Sequence, residues 1–142
     1  MAKLPAVHEY MSTEALVLDP DTDIYRAVDV LLAEKASGAP VVNSDGVLVG
    51  FISEQDCLKL ITKGNVEADV PVGVVSDYMT EEVITVTPDT DIYYVAGLFL
   101  AHGLNLIPVV FEGAIAGHIV RTDILRAIRR MTGTPSGTFK LP

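Results

Sequence analysis

Apolar residues follow the 3.6-residue period of an α-helix in two separate stretches of this chain. In the first stretch they recur at spacings of three and four residues, at Ile24, Ala27, Val28, Leu31 and Leu32. In the second stretch the same spacing returns, at Ile92, Val95, Ala96, Phe99 and Leu100. This spacing places each set on one face of a helix. The pattern therefore predicts two amphipathic helices, with a core that includes Ile24, Val28, Leu31, Ile92, Ala96 and Phe99.

Shorter apolar runs precede and follow each of these helices and have the length of β-strands. Runs at 16–18 and 84–86 come before the helices, and each is soon followed by a proline. After each helix, two apolar runs flank a polar turn and predict a β-hairpin, with strands at 39–43, 48–52, 107–111 and 115–120. A second helix follows each hairpin and ends near Lys63-Gly64 in the first case. The first helices are predicted to have an N-cap at Asp21 or Thr22 and at Asp89 or Thr90.

An internal repeat explains why the two halves share one pattern. The hexapeptide Pro-Asp-Thr-Asp-Ile-Tyr occurs at 20–25 and again at 88–93, an offset of 68 residues, and Pro-Val-Val recurs at the same offset. The order β-α-β-β-α therefore occurs twice, which is an α/β (α+β) fold class. Because a small sheet with helices on one face cannot cover its other face alone, we expect the repeats to pack sheet to sheet with pseudo-twofold symmetry. We place the units at 5–64 (repeat 1), 65–73 (linker), 74–131 (repeat 2) and 132–142 (C-terminal tail).

Composition limits the class of protein and its partners. With 142 residues, 49% of them apolar, the chain is expected to fold as one domain. Its formal net charge of −9 repels phosphate backbones, so nucleic acid is not an expected partner. The apolar runs are far shorter than the roughly 18 residues of a membrane span, and no secretory signal begins the chain. The single cysteine fits a reducing compartment. We therefore expect a cytoplasmic protein with no membrane partner.

The last predicted strand of each repeat contains a glycine that is followed six residues later by an aspartate. The pairs are Gly50 with Asp56 and Gly117 with Asp123, and the offset between the repeats has fallen to 67 here. The change from strand spacing to helix spacing places both aspartates in the first turn of a helix. Unpaired N–H groups and the helix dipole favour a polar or anionic ligand there. The sequence therefore predicts two equivalent ligand sites.

An ordinary capping role is the alternative explanation of these aspartates. Ser53 and Asp56 have the spacing of a capping box, in which each side chain binds the other residue's backbone N–H. For this pair, capping and ligand binding both stay open. In the second repeat Val120 stands in the serine position. Because valine cannot form the reciprocal bond, we interpret Asp123 as a ligand residue in preference to a cap.

Four short motifs recur in the same order in both halves. They are a Met-Ser or Met-Thr start at Met11 and Met79, Pro-Asp-Thr before the first helix, Pro-Val-Val in the hairpin, and the closing Gly-x-x-Ser-x-x-Asp, which departs from the pattern at Val120 in the second half. In this order and spacing, the sequence resembles a tandem pair of CBS domains, also called a Bateman module, over about residues 5–131. The resemblance implies a regulatory or sensor module that binds AMP, ADP, ATP or S-adenosylmethionine in clefts between the two repeats.

The resemblance also implies which residues hold the ligand. The aspartate binds the ribose hydroxyls, the Ser or Thr lies near phosphate, and the residues before Pro-Val-Val present backbone groups to adenine. Carried over by position, one cleft has Ser53 and Asp56 facing Asn105, Leu106, Ile107 and Pro108. The other has Thr122 and Asp123 facing Ser37, Gly38, Ala39 and Pro40. Arg121 has a guanidinium fork that suits phosphate, so we expect charged nucleotides in the Asp123 cleft and weak binding or none in the Asp56 cleft.

Other chemistry has little support in the sequence. Cys57 has Ile124 as its repeat counterpart, which indicates packing. His8, His102 and His118 lack metal-ligand spacing, so we expect neither a metal nor a cofactor. No nucleophile or paired acid and base is evident, and we do not expect an enzyme. We expect a homodimer that acts on a regulated partner protein, and the alternative is a protein-interaction module that binds no nucleotide.

Overall fold

The computed structural model describes residues 4–62 and 73–131. Repeat 1 contains α1 (Ile24–Ala33), β1 (Gly38–Val42), β2 (Leu48–Ser53), α2 (Glu54–Cys57) and α3 (Lys59–Thr62). Repeat 2 contains α4 (Ile92–His102), β3 (Leu106–Phe111), β4 (Ala114–Val120) and α5 (Arg121–Met131). The predicted helix end at Lys63-Gly64, nearly all of the predicted linker and the predicted tail lie outside the described residues.

The sheets are two antiparallel hairpins, β1 with β2 and β3 with β4. All four strands agree with the prediction to within one residue at each end. Equivalent prolines have equivalent partners, since Pro40 pairs with Phe51 and Pro108 pairs with His118. Glu112 and Gly113 both have positive φ, 50° and 82°, which suits a two-residue turn between twisted strands. This tight turn accounts for the shorter second repeat.

The apolar runs before the first helices do not form the strands that were predicted. Each run contributes one parallel bridge, Leu18 to Val41 and Val86 to Val109. A proline follows two residues after each bridge, and proline has no N–H with which to continue a ladder. Each sheet therefore consists of two full strands with a single-residue contact at one edge.

The first helices begin later than predicted. Their N-caps are Asp23 and Asp91, whose side chains accept the backbone N–H of Arg26 at 3.2 Å and of Tyr94 at 2.8 Å. The predicted caps were wrong and lie one or two residues earlier, at Asp21, Thr22, Asp89 and Thr90. The reason is that the preceding proline opens a turn, and the turn takes up those residues before the helix starts.

Two hydrophobic clusters, one around each first helix, form the core. Four of the predicted core residues are buried, namely Ile24, Leu31, Ile92 and Phe99. The other two, Val28 and Ala96, are partly buried and pack against the clusters. Leu32 and Leu100 lie at the end of the apolar stripe but are 71% and 87% exposed. The buried stripe is therefore narrower than the sequence pattern, and two leucines remain on the surface.

The helical segment after β2 is interrupted, whereas its counterpart α5 is continuous. The Ile61 N–H donates at 3.1 Å to the carbonyl of Leu58, which is three residues earlier and not four. This is the tighter 3-10 pattern. The single helix predicted here is therefore divided into α2 and α3.

The two repeats exchange their first segments. The 3-10 turn that begins at Val7 packs into the core of repeat 2, and the equivalent turn that begins at Val75 packs into the core of repeat 1. The Val7 N–H donates to the Thr90 carbonyl at 2.8 Å, and the Val75 N–H donates to the Thr22 carbonyl at 2.9 Å. Contacts that occur in such equivalent pairs define a pseudo-twofold axis. The predicted fold class, two α/β repeats packed as a symmetric pair, is confirmed.

Motif glycines make room for the backbone of the opposite repeat. Ser12 crosses β4 beside Gly117, and Thr80 crosses β2 beside Gly50. A Cβ atom on Gly117 would overlap the Ser12 carbonyl oxygen, and one on Gly50 would lie 2.9 Å from the Thr80 carbonyl oxygen. Glycine is therefore needed in the closing motif for the repeats to pack together.

Replacing Gly117 with alanine tests this packing role. Gly117→Ala should lower the free energy of unfolding by about 1–3 kcal/mol, because the backbone must move to admit a methyl group. Gly97→Ala is the matched control, since a Cβ there meets nothing within 4 Å and alanine is preferred to glycine in a helix by up to about 1 kcal/mol. Urea unfolding followed by circular dichroism measures both variants. Equal stability of the two variants would contradict the packing role.

Candidate functional site

A cavity of about 450 Å³ opens between the two repeats beside Asp56. We refer to it as the Asp56 cleft. Repeat 1 lines it with Ser37, Phe51, Ser53, Glu54, Gln55 and Asp56. Repeat 2 lines it with Thr80, Glu82, Val83, Ile84, His102, Gly103, Leu104, Asn105, Leu106 and Pro108. Its volume lies within the range of roughly 300–1,000 Å³ that is typical of small-molecule sites.

The Asp56 carboxylate is buried and held by residues of both repeats. Its Oδ2 accepts the Ser53 N–H and the Ser53 hydroxyl, both at 3.0 Å, and the Ser53 Oγ accepts the Asp56 N–H at 3.1 Å. Its Oδ1 lies 3.1 Å from the Lys59 Nζ and 3.5 Å from the Thr80 Oγ1. The capping box is therefore present. Because Asp56 also lines the cavity, capping and ligand binding are compatible roles for it.

Asp123 has a closely similar environment, with 4% of the residue exposed. Its Oδ2 accepts the Val120 N–H at 2.8 Å, and its Oδ1 binds the Arg126 guanidinium. The inference that capping explains Asp123 poorly was therefore wrong. Valine removes the side-chain half of the capping box, but the carboxylate half needs only the backbone N–H of residue 120.

Arg121 contacts the wall of the Asp56 cleft, whereas it was predicted to contact a phosphate in the Asp123 cleft. Its Nε donates to the Leu104 carbonyl at 2.7 Å, and its Nη2 donates to the Asn105 side-chain oxygen at 2.5 Å. Leu104 and Asn105 both line the Asp56 cleft, although Arg121 itself does not. In this structure Arg121 therefore supports that wall, and a phosphate contact in the Asp123 cleft stays a prediction.

The segment before the second Pro-Val-Val faces Asp56 across the repeat boundary. Asn105, Leu106 and Pro108 line the Asp56 cleft, as the carried-over positions implied. Ile107 is fully buried in the core of repeat 2, since successive strand residues point to opposite faces. A contact between adenine and this segment stays a prediction.

Of the equivalent segment of repeat 1, residues 37–40, the structure brings only Ser37 to the lining of the Asp56 cleft. Ser37, which was predicted to face Asp123, lines the Asp56 cleft, where its carbonyl accepts the Glu54 N–H at 2.9 Å. Thr122 is exposed on α5. The three residues after Ser37 are buried in β1, namely Gly38, Ala39 and Pro40. Their association with Asp123 rests on the pseudo-twofold symmetry and stays a prediction.

Sequence reasoning missed the cations and the hydroxyl that contact the aspartates. Lys59 binds Asp56 and Arg126 binds Asp123, in each case three residues after the aspartate. Thr80 reaches the Asp56 carboxylate from the other repeat. Lys59 and Arg126 are 67 residues apart, the same offset as the two aspartates. A comparison of the repeats at that offset could therefore have identified both cations.

His118 holds in β4 the position that Phe51 holds in β2. Burial lowers the pKa of the His118 imidazole, and the Asp123 carboxylate opposes that change. Its Nδ1 atom is buried and has no hydrogen-bond partner among the described residues. The folded protein therefore favours the neutral imidazole at this position.

Cys57 packs against the core of repeat 1, in agreement with the predicted packing role. Burial raises the pKa of the Cys57 thiol, and the negative charges of Asp56 and Glu54 raise it further. A thiol that stays protonated is a poor nucleophile. Within residues 4–62 and 73–131, no group of three or more His, Cys, Asp or Glu residues is placed to hold a metal ion. In the same ranges no helix is both long and apolar enough to cross a membrane.

Known proteins share this sequence pattern. A family model described as CBS domain matches residues 7–63 and again residues 75–130. The chain is 31% identical over 122 residues to an uncharacterized protein of Methanocaldococcus jannaschii. The aligned region covers 86% of this chain and 42% of that protein. It is 31% identical over 123 residues to the A-adding tRNA nucleotidyltransferase of Aquifex aeolicus, which covers 87% of this chain and 14% of that enzyme. The chain therefore spans less than half the length of these two relatives.

Solved structures have the same fold. The CBS-pair protein CBSX2 from Arabidopsis thaliana has a TM-score of 0.82 at 26% identity, covering 94% of this chain and 100% of that chain. The structure of CBSX2 in complex with AMP has a TM-score of 0.77 at 27% identity, and the match covers 89% of this chain and 98% of that chain. The CBS domain pair of the protein MJ0100, in complex with 5′-methylthioadenosine and S-adenosyl-L-methionine, has a TM-score of 0.74, covering 89% and 97%. Its 23% identity shows a likeness of fold alone.

The lowered pKa of His118 predicts how stability depends on pH. Below the ordinary imidazole value of 6.5, the unfolded chain binds a proton that the folded protein resists, so stability falls as the pH drops. His118→Phe, which copies Phe51, and His118→Gln should both reduce the loss of stability between about pH 7.5 and about pH 5.5. Thermal melting across this range measures the effect, and His8→Gln, at an exposed histidine, is the control. The idea fails if both His118 variants lose as much stability as the unmodified protein.

Proposed function

This chain belongs to the CBS domain family as a tandem pair of repeats, and from this premise we propose that it is a regulatory module that binds an adenosine-containing ligand between those repeats. The observation that carries the proposal is a buried carboxylate, Asp56, at the edge of a cavity of about 450 Å³ that both repeats line. AMP, ADP, ATP and S-adenosylmethionine are the candidate ligands. Such a module would act by changing the activity of a partner protein, or of a longer protein that contains it.

The chemistry of the Asp56 cleft suits a nucleoside. A carboxylate can accept two hydrogen bonds from the 2′,3′-diol of a ribose. Val83, Ile84 and Leu106 supply apolar lining for a flat base, and backbone groups near Asn105 are available to its polar edge. The complexes of CBSX2 with AMP and of MJ0100 with S-adenosyl-L-methionine support this ligand class.

A protein-interaction module that binds no nucleotide is the second candidate. One observation favours it, because both aspartates already have partners in this structure. Asp56 is bound by Ser53 and Lys59, and Asp123 is bound by Arg126. A ribose would have to share or replace these contacts. The outcome in which no nucleotide binds is therefore a real alternative in the binding experiment.

Calorimetry with AMP, ADP, ATP and S-adenosylmethionine tests the proposal. We expect Asp56→Ala and Asp123→Ala each to weaken binding in its own cleft by about 5- to 150-fold, because a lost ribose clamp costs about 1–3 kcal/mol. Asp45→Asn is the matched control, because it removes a carboxylate at the turn between β1 and β2. The cleft lies at the opposite end of that hairpin, where Gly38 pairs with Ser53. Thermal melting of each variant checks that it is folded. No heat with any ligand at millimolar concentration would favour the protein-interaction module.

We also propose that the module forms a homodimer through its helices. Leu32, Leu100 and Leu125 are 71%, 87% and 61% exposed on α1, α4 and α5. The proposal requires these side chains to lie on one contiguous surface, because a contiguous exposed apolar patch is typical of a contact surface. A second copy of this chain would cover them and pair two modules into a four-repeat assembly.

Charge substitution on these helices tests the dimer. The Leu32→Lys/Leu100→Lys double variant should shift the protein from dimer to monomer, because a lysine ammonium cannot be buried at low cost. Light scattering at micromolar concentration measures the mass. Phe111→Lys, at an exposed apolar residue on a strand, is the control and should leave the dimer intact. A monomer before any substitution would contradict the proposal.

A further inference from the structure

The charged side chains that line the Asp56 cleft are all acidic. Three carboxylates line it, those of Glu54, Asp56 and Glu82. Of the described lining residues none is lysine or arginine, and His102 is the one that can become positively charged. The space next to the proposed ribose clamp therefore has an excess of negative charge.

The cations that lie nearest to the lining offset this excess only in part. Lys59 is paired with Asp56, and Arg121 donates to Leu104 and Asn105, while neither cation lines the cavity. Among the described residues, no ion pair involves Glu54 or Glu82. Three carboxylates against the two cations Lys59 and Arg121 still leave the cleft with a net negative charge, to which Glu54 and Glu82 contribute without an ion-pair partner.

Carboxylates in a cleft act strongly on a charged ligand. Walls of low dielectric constant focus the field of one sign of charge within such a cleft. A phosphate group placed there is repelled by both glutamates, whereas a cationic group is attracted by both. The adenosine part carries no charge and is indifferent to either glutamate. Selection therefore depends on what is attached to the 5′ carbon of the ribose.

The equivalent positions of the other repeat differ in charge only in part, since Glu82 corresponds to Glu14 and His102 to Glu34 at the offset of 68. Arg121 is the counterpart of Glu54 at an offset of 67, and Lys35 is the counterpart of Gly103 at an offset of 68. By sequence position the surroundings of Asp123 therefore have less negative charge than the Asp56 cleft, although the Arg121 guanidinium itself contacts Leu104 and Asn105 in the wall of the Asp56 cleft. The equivalent positions at Asp56 and Asp123 would therefore bind ligands of different charge.

We propose that the Asp56 cleft selects adenosine derivatives whose 5′ substituent is neutral or positively charged, such as thioether and sulfonium nucleosides, and rejects 5′-phosphates. Glu54 and Glu82 determine this selectivity. The inference rests on the proposed function, because it assumes that an adenosine ligand binds in this cleft.

Three probes that share the adenosine part and differ in the charge of the 5′ substituent test the selectivity. They are neutral 5′-methylthioadenosine, the sulfonium S-adenosylmethionine, and the anion AMP. Calorimetry is done in the Asp123→Ala background, or in Asp123→Asn if the alanine variant does not fold, so that the Asp56 cleft is measured alone. The first two probes should bind more tightly than AMP. Raising the salt concentration should strengthen AMP binding and weaken S-adenosylmethionine binding, because salt screens both interactions.

Removing the glutamate charges should reverse the order. In Glu54→Gln/Glu82→Gln, AMP should bind about 5- to 50-fold more tightly and S-adenosylmethionine correspondingly more weakly, as expected for two charge pairs in a partly solvated cleft. The affinity for 5′-methylthioadenosine should change by less than about 3-fold, since the probe is uncharged. Asp45→Asn is the control that removes a carboxylate at the far end of the hairpin and should change none of the three affinities.

The outcomes separate this inference from the proposed function. If 5′-methylthioadenosine binds but AMP binds equally well, or if the double variant leaves the ratio of affinities unchanged, the selectivity is overturned and the proposed function stands. If none of the three probes, and neither ADP nor ATP, binds the protein with both aspartates intact, the proposed function fails and the selectivity fails with it.

Discussion

Backbone hydrogen bonds between each first segment and the opposite repeat are the constraint on which this structure depends. The Ile24 N–H donates to the Gly73 carbonyl at 3.1 Å, and the Ile92 N–H donates to the Pro5 carbonyl at 3.0 Å. These are the first N–H groups of α1 and α4, and such groups have no partner within their own helix. Neither repeat can complete its first helix or its core without the other. The pair, and not the single repeat, is therefore the unit that folds.

The same exchange brings a residue of repeat 2 to the Asp56 carboxylate and leaves Asp123 without the equivalent contact among the described residues. Thr80 follows the second exchanged segment and reaches the Asp56 Oδ1 at 3.5 Å. Its counterpart Ser12 instead accepts the N–H of Glu14 at 3.3 Å. The backbone contacts obey the symmetry, but the side chains do not. Substitutions at the exposed ends of a symmetric frame leave its packing intact, so equivalent positions can carry different side chains.

Local charge is more informative here than the net charge of −9. Each buried aspartate has a cation three residues later, so the buried carboxylates are paired. Among the described residues, the carboxylates that line the Asp56 cleft without an ion-pair partner are those of Glu54 and Glu82. A net charge describes how the whole protein meets a large polyanion, whereas the sign of a cleft depends on the few residues that line it.

Properties that depend on neighbouring residues were determined by the sequence alone. Turn residues and apolar runs located all four hairpin strands to within one residue, helical spacing located Ile24 and Ile92 in the core, and the repeat offset paired Asp56 with Asp123. Only the tertiary structure decided that the first segments are exchanged, that Leu32 and Leu100 stay exposed, and that Arg121 binds Asn105. The reason is that a periodic pattern shows which face of an element is apolar but not which distant residues cover it. Those contacts join residues that are far apart in the chain, and their geometry is determined only when the two repeats pack together.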